Sequence, residues 1–204
     1  MSINNIPLPK FHDGTASLTY KDGSTVAHLS DFWSWAHSDL MGNTARGILA
    51  EYIVACAIGV EKEERTEWAP YDLCSKEGIR IEVKSSGYLQ TWGQKRLSSP
   101  TFGIQPTCSW DALTNEFESE KRRQADLYVF CLHTHTDPET ANPLNLSQWE
   151  FYIISTHVLN QIVGGQKRIS LGSLIKLGAM KCDFKDLYET VKSVAKEQHF
   201  LIQD

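Results

Sequence analysis

The stretch GIRIEVKSSG, Gly78 to Gly87, decides how the chain is read. Ile79, Ile81 and Val83 alternate with Arg80, Glu82 and Lys84. A period of two predicts a half-buried strand with one apolar face and one charged face. Side chains at i and i+2 of a strand point the same way and lie about 6.5–7 Å apart. Glu82 and Lys84 therefore share a face. Alone, a Glu-x-Lys pair describes an edge strand with a solvated outer face and a weak surface ion pair. Its neighbours change that reading.

Ten positions upstream, Asp72 interrupts the apolar tetrad Tyr71-Asp72-Leu73-Cys74. Strands disfavour Asp, so its presence there needs a reason. Further upstream, GILAEYIVACAIGV (residues 47–60) carries a single charged residue, Glu51. A helix apolar on nearly every side is buried, and a buried carboxylate must be protonated, paired or bound to a metal. The competing reading puts Glu51 on a narrow solvent stripe. If the three carboxylates converge, their hard oxygens suit Mg²⁺, which takes one or two protein carboxylates and keeps several waters. Asp72 and Glu82 are then the ligands. Lys84, kept protonated by the carboxylates, stabilises developing negative charge. Glu51 completes the site through a second metal or a bridging water. This convergence has a geometric condition. In an antiparallel hairpin, Asp72 and Glu82 share a face only if paired residue numbers sum to an even value, such as 74 with 80. The sequence therefore predicts a five-residue turn, a bulge or a bend at Asp72.

The rest of the chain sets bounds. Its 204 residues, 41% hydrophobic and 22% charged, suit a globular protein with a sizeable core. No apolar run is long enough to cross a bilayer, and MSINNIPLPKFHDG has no signal-peptide pattern. Five scattered cysteines without a CxxC read as reduced thiols, so a cytoplasmic protein is expected. The net charge of −5 argues against nucleic-acid binding through the overall field and requires a local basic patch, a bound cation or a partner.

Residues 1–30 read as a turn-rich N-terminal extension. Helices are expected from about Ser30, from Asn43 or Thr44 to Gly59, over 110–123, over THVLNQIV (156–163), and in the C-terminal stretch from Cys182. Strands are expected over 71–74, 79–86, 101–105, 126–133 and 149–155. This order predicts an α/β fold with a mixed sheet flanked by helices, in one domain over 1–204.

The helix carboxylate Glu51, Pro70-Tyr71-Asp72 and Glu82-Val83-Lys84 together resemble the PD-(D/E)XK nuclease superfamily. Tyr71 separates proline and aspartate more than the family pattern does. The resemblance covers a motif core of about 43–105. It implies a three-layer α/β/α, restriction-endonuclease-like core and Mg²⁺-dependent phosphodiester cleavage, with Mn²⁺ as a substitute. DNA is the more common substrate and RNA the less common one. It carries the metal ligands to Asp72 and Glu82, the lysine to Lys84 and the helix carboxylate to Glu51. A homodimer is compatible, since two symmetric sites cut two strands. The alternative is a nuclease-fold binding or assembly subunit that has lost activity.

Beyond the motif, Ser85, Ser86, Gln90, Trp92, Gln94, Lys95 and Arg96 are candidate substrate contacts. They mix hydroxyls, amides, an aromatic ring and two cations, as a segment that stacks on bases and touches phosphates would. The other reading is a surface loop with Trp92 tucked beneath it. The basic cluster at 120–124 (EKRRQ) reads first as a solvated helix end and second as a phosphate contact. His133-x-His135-x-Asp137 lacks a fourth ligand for a closed zinc site. Gly164-Gly165-Gln166-Lys167 lacks the phosphate-loop spacing.

Overall fold

The alternating stretch forms the next-to-edge strand of a five-stranded mixed sheet. The computed structural model describes residues 11–63, 65, 69–111 and 116–202. Residues 1–10 of the expected N-terminal extension, and 112–115 of the expected helix over 110–123, lie outside them. In chain order the elements are β1 (Ser17–Thr19), β2 (Thr25–His28), α1 (Leu29–His37), α2 (Asn43–Ile58), β3 (Leu73–Cys74), β4 (Arg80–Gly87), β5 (Thr101–Gly103), β6 (Trp110–Asp111), β7 (Glu116–Phe117) and β8 (Leu127–His133). After a 3₁₀ turn at Leu146–Gln148 come β9 (Trp149–Ser155), α3 (Thr156–Val163), β10 (Arg168–Ser170), α4 (Leu171–Lys176), β11 (Met180–Cys182) and α5 (Leu187–Ile202).

The central sheet runs β11-β9-β8-β4-β3. Only β4 and β8 are parallel. Their register is pinned at its start by Asp126, whose carboxylate accepts the Arg80 backbone N–H at 2.8 Å and meets the Arg80 guanidinium at 2.5 Å. One sheet face presents Ile81, Val83, Leu127, Val129, Phe151 and Ile153 to Ala50, Ile53 and Val54 of α2 and to Leu187 and Val191 of α5. The other presents Tyr128, Phe130, Leu132, Tyr152 and Ile154 to Leu159 of α3, Leu174 of α4, and Phe102 and Ile169 of a separate β5–β10 ribbon. The result is three layers around a mixed sheet. All seven residues of β8 are buried, because it has a strand on each side and packing on both faces. Helix α2 stops at Gly59, whose φ of 73° is the left-handed conformation that closes a helix C-terminus. At its start Gly42 is the cap residue, while the Asn43 side chain accepts from Arg46 instead.

Three expectations need correction. The described residues of 110–123 form no helix. Trp110–Asp111 pairs with Glu116–Phe117, the Thr107–Arg122 bridge extends the ribbon, and the Trp110 and Phe117 rings meet at 4.8 Å between centroids. The cross-strand aromatic pair and the backbone pairing outweigh weak helical propensity in a segment with no apolar stripe. The strand at 101–103 belongs to the ribbon, not the main sheet. Between α3 and the C-terminal helix lie three short elements, β10, α4 and β11, that are not among the expected ones, and the helix starts at Leu187 rather than near Cys182.

Candidate active site

The site begins with a turn. Cys74 pairs with Arg80, leaving a five-residue turn closed by the Ser75 N–H bonding the Ile79 carbonyl at 2.9 Å, with Gly78 at φ 82°. That even-sum register puts Asp72 opposite Glu82. The Asp72 N–H donates to the Ile81 carbonyl at 3.1 Å, and its Oδ2 accepts the Val83 N–H at 2.7 Å. The side chain thus occupies an acceptor position that a strand backbone would otherwise fill. This is the reason an aspartate interrupts an apolar strand.

The three charged groups converge. Lys84 Nζ lies 2.5 Å from Glu82 Oε1 and 3.9 Å from Asp72 Oδ2. Their side chains retain 32%, 21% and 23% of their exposure, respectively. Burial pushes the Glu82 carboxyl up, Lys84 counters it, and Asp72 and Glu51 add to the rise. Burial pulls Lys84 down, but Glu82, Asp72 and Glu51 outweigh it and hold the ammonium above its ordinary value. Lys84 is therefore a cation at neutral pH, suited to electrostatic stabilisation rather than to proton abstraction.

These groups line a cavity of about 400 Å³ together with Pro70, Gly103, Arg123, Gln124 and Tyr128. Arg123 and Gln124 come from the 120–124 cluster, whereas Tyr128 was not singled out from the sequence. Tyr128 is the parallel-ladder partner of Glu82, a neighbourhood that exists only once β4 and β8 are in register. Burial, then the Glu82 charge, raises its phenol. Gln124 Nε2 is buried without a hydrogen-bond partner among the described residues. Arg123 is structural: its guanidinium donates to the Ile104 carbonyl, Asn160 Oδ1 and the Gly164 carbonyl at 2.9, 2.6 and 2.8 Å.

Glu51 stands apart from this contact set. Its carboxylate accepts Arg65 Nε at 2.6 Å and lines a neighbouring cavity of about 740 Å³ with Trp33, Tyr52 and Tyr71. Asp72 and Pro70 border both cavities, and the Glu51 charge is felt at Glu82 and Lys84. Among the described residues no group of three His, Cys, Asp or Glu side chains is placed to hold a metal ion. The donor set offered is two carboxylates, Asp72 and Glu82. Such a pair fits Mg²⁺, whose remaining positions go to water and phosphate.

At the end of β4, Ser86 is buried and Ser85 half-buried, and both line a third cavity with Gln90 and Trp92. The Gln94 amide is committed to the loop, donating to the Tyr88 carbonyl at 3.1 Å and to Ser98 Oγ at 3.0 Å. Trp92 is 57% exposed rather than tucked away. Lys95 and Arg96 are exposed and form no ion pair among the described residues. His135 bonds Thr140, which also donates to Asp137, so that trio braces a loop. His133 is fully buried against the Trp149 ring. No helix among the described residues is long and apolar enough to cross a membrane.

No curated protein and no solved structure matches the chain. The family model described as bacteriophage T4 endonuclease IV matches residues 4–168, a span that contains Glu51, Asp72, Glu82, Lys84, Gln124 and Tyr128. The chain belongs to the bacteriophage T4 endonuclease IV family and is an endonuclease.

Proposed function

We propose that the chain cleaves phosphodiester bonds of DNA with Mg²⁺ at a site of the PD-(D/E)XK type. The observation that carries this reading is the convergence of the Asp72 and Glu82 carboxylates on the Lys84 ammonium inside one open cavity. Carboxylates crowded around one ammonium leave negative charge for a divalent ion to neutralise, and burial alone already disfavours ionised Glu82. Asp72 and Glu82 would hold the ion, which when bound would polarise a phosphoryl oxygen and lower the pKa of a water. Lys84 stabilises the charge that develops on the phosphate. The Val83 N–H fixes Asp72, so the carboxylate is oriented before substrate arrives. The unpartnered Gln124 amide N–H is a donor suited to a phosphate oxygen or a base edge at the cavity wall.

The test is cleavage of plasmid DNA, single-stranded DNA and RNA by purified protein in Mg²⁺, Mn²⁺ or EDTA, with Lys84→Ala as control. The reading expects divalent-dependent cleavage of DNA that Lys84→Ala loses. Cleavage that survives in EDTA or in Lys84→Ala removes the site assignment. Calorimetric titration of Mg²⁺ into wild type, Asp72→Asn and Glu82→Gln checks the ligands without relying on turnover.

A further inference from the structure

The cavity beyond Lys84 has a chemistry of its own. It holds about 460 Å³ and is walled by the end of β4, the start of α2, the segment 98–103 and Arg168 of β10. Its polar lining is hydroxyls, amides and two arginines, Arg46 and Arg168, with no carboxylate. Arg46 is 3% exposed, and its guanidinium bonds only neutral acceptors: the Met41 carbonyl, the Leu89 carbonyl and Asn43 Oδ1. Its Nε has no partner among the described residues. A buried cation without a counter-charge is costly, and an anion nearby offsets that cost. Arg168 is exposed and forms no ion pair among the described residues. Helix α2 adds the positive end of its dipole, since its first turn lacks an acidic side chain and Gly42 supplies no side-chain cap.

The position of this cavity is as telling as its charge. Glu82, Lys84 and Ser86 lie on one face of β4, spaced by two residues, so Ser86 sits about 6.5–7 Å beyond Lys84. Gly103 borders both this cavity and the one holding Asp72, Glu82 and Lys84, and Arg168 is the ladder partner of Gly103. On the far side, Gln90 and Trp92 are shared with a cavity lined by Lys95 and Arg96. A continuous track therefore leads from the carboxylates past Ser86 and Arg168 to Trp92, Lys95 and Arg96. This is the local basic patch that an acidic protein needs to hold a polyanion.

We propose that this cavity is a phosphate subsite. It takes the backbone phosphate next to the one being cut, and Arg168 is its principal exposed contact. The inference rests on reading Asp72, Glu82 and Lys84 as the cleavage site. The experiment measures binding of a fluorescent DNA oligonucleotide in EDTA across a salt series, alongside cleavage in Mg²⁺. It uses wild type, Arg168→Ala, Arg168→Lys, Lys84→Ala and, as control, Lys176→Ala, an exposed α4 cation outside the track. Arg168→Ala weakens binding roughly tenfold, the scale of one charge-assisted hydrogen bond. It lowers the slope of log K against log salt by about 0.7–1, the signature of one lost phosphate contact. Arg168→Lys keeps the slope, and Lys176→Ala matches wild type. An Arg168→Ala slope and affinity equal to those of Lys176→Ala overturn the subsite, even if Lys84→Ala abolishes cleavage and so upholds the catalytic assignment. The opposite result, a lowered Arg168→Ala slope with undiminished cleavage by Lys84→Ala, supports the phosphate contact but sinks the catalytic assignment and, with it, the placement of that phosphate beside the one being cut. Absence of binding by every variant overturns the proposal.

Discussion

On the side of the central sheet that meets α2 and α5, Ile81 and Val83 are sealed among Ala50, Ile53, Val129 and Val191. One residue along the same strand, on the other side, Glu82 and Lys84 keep a fifth to a third of their exposure and face a cavity. Strand β8, directly beside, has no such division: its residues are buried on both faces. The difference comes from the neighbours. Strand β3 has only two residues and its line is broken at Asp72, so one flank of β4 is thinly covered where the charged side chains emerge. The closed face anchors the strand in the core, and the open face presents its chemistry from that packed base.

Substitutions on the two faces should separate stability from activity. Ile81→Ala on the closed face should cost about 2–5 kcal/mol of unfolding free energy, measured by urea denaturation. Its Mg²⁺-dependent cleavage per folded molecule should be retained, and a loss of activity without a loss of stability would break the comparison. Lys84→Ala on the open face should lower cleavage by about 10²–10³, the scale of removing one electrostatic stabiliser of the transition state. Its circular dichroism should match wild type. Trp92→Ala, farther along the open face, should leave stability within about 0.5 kcal/mol of wild type. It should weaken oligonucleotide binding by about 1–3 kcal/mol if the ring stacks on a base.

The smallest effect is a pH dependence. Burial raises the Glu82 carboxyl above the ordinary value of 4.5, so folding favours its protonated form. That contribution is present in full below the ordinary value and is lost as pH rises through the raised one. In EDTA, wild type should therefore lose stability relative to Glu82→Gln over that interval. The gap should narrow when Mg²⁺ is added, because the ion stabilises the ionised carboxylate. Parallel curves with and without Mg²⁺ would mean that Glu82 is not a ligand.

The long periodic stretches were legible without coordinates. Residues 149–155 and 156–163 form the expected strand and helix, and α2 stops at its glycine. The short elements were not legible. Strands of two or three residues such as β6, β7, β10 and β11 carry no readable period, and their pairing is decided by tertiary contacts such as Trp110 on Phe117. The same limit applies to the site. Asp72, Glu82 and Lys84 stand out because charge in an apolar strand demands a reason. Tyr128 and Gln124 reach the same cavity from a strand register and a loop that no local pattern encodes. Arg168 is harder still, since it arrives on a ribbon whose two strands are more than sixty residues apart in the chain.

The parallel ladder between β4 and β8 has a consequence for when the protein becomes active. Strands β8 and β9 are joined by an antiparallel return over residues 134–148, whereas β4 must cross the longer stretch 88–126 to lie alongside β8. Long-range parallel pairing is slow to form because loop-closure entropy is lost before contacts repay it. Glu82 and Lys84 gain their Tyr128 wall only when that crossover is complete. The hairpin that brings Asp72 to Glu82 and Lys84 spans only residues 72–84, so the charged cluster is a local product, and the crossover supplies the wall that turns it into a cavity.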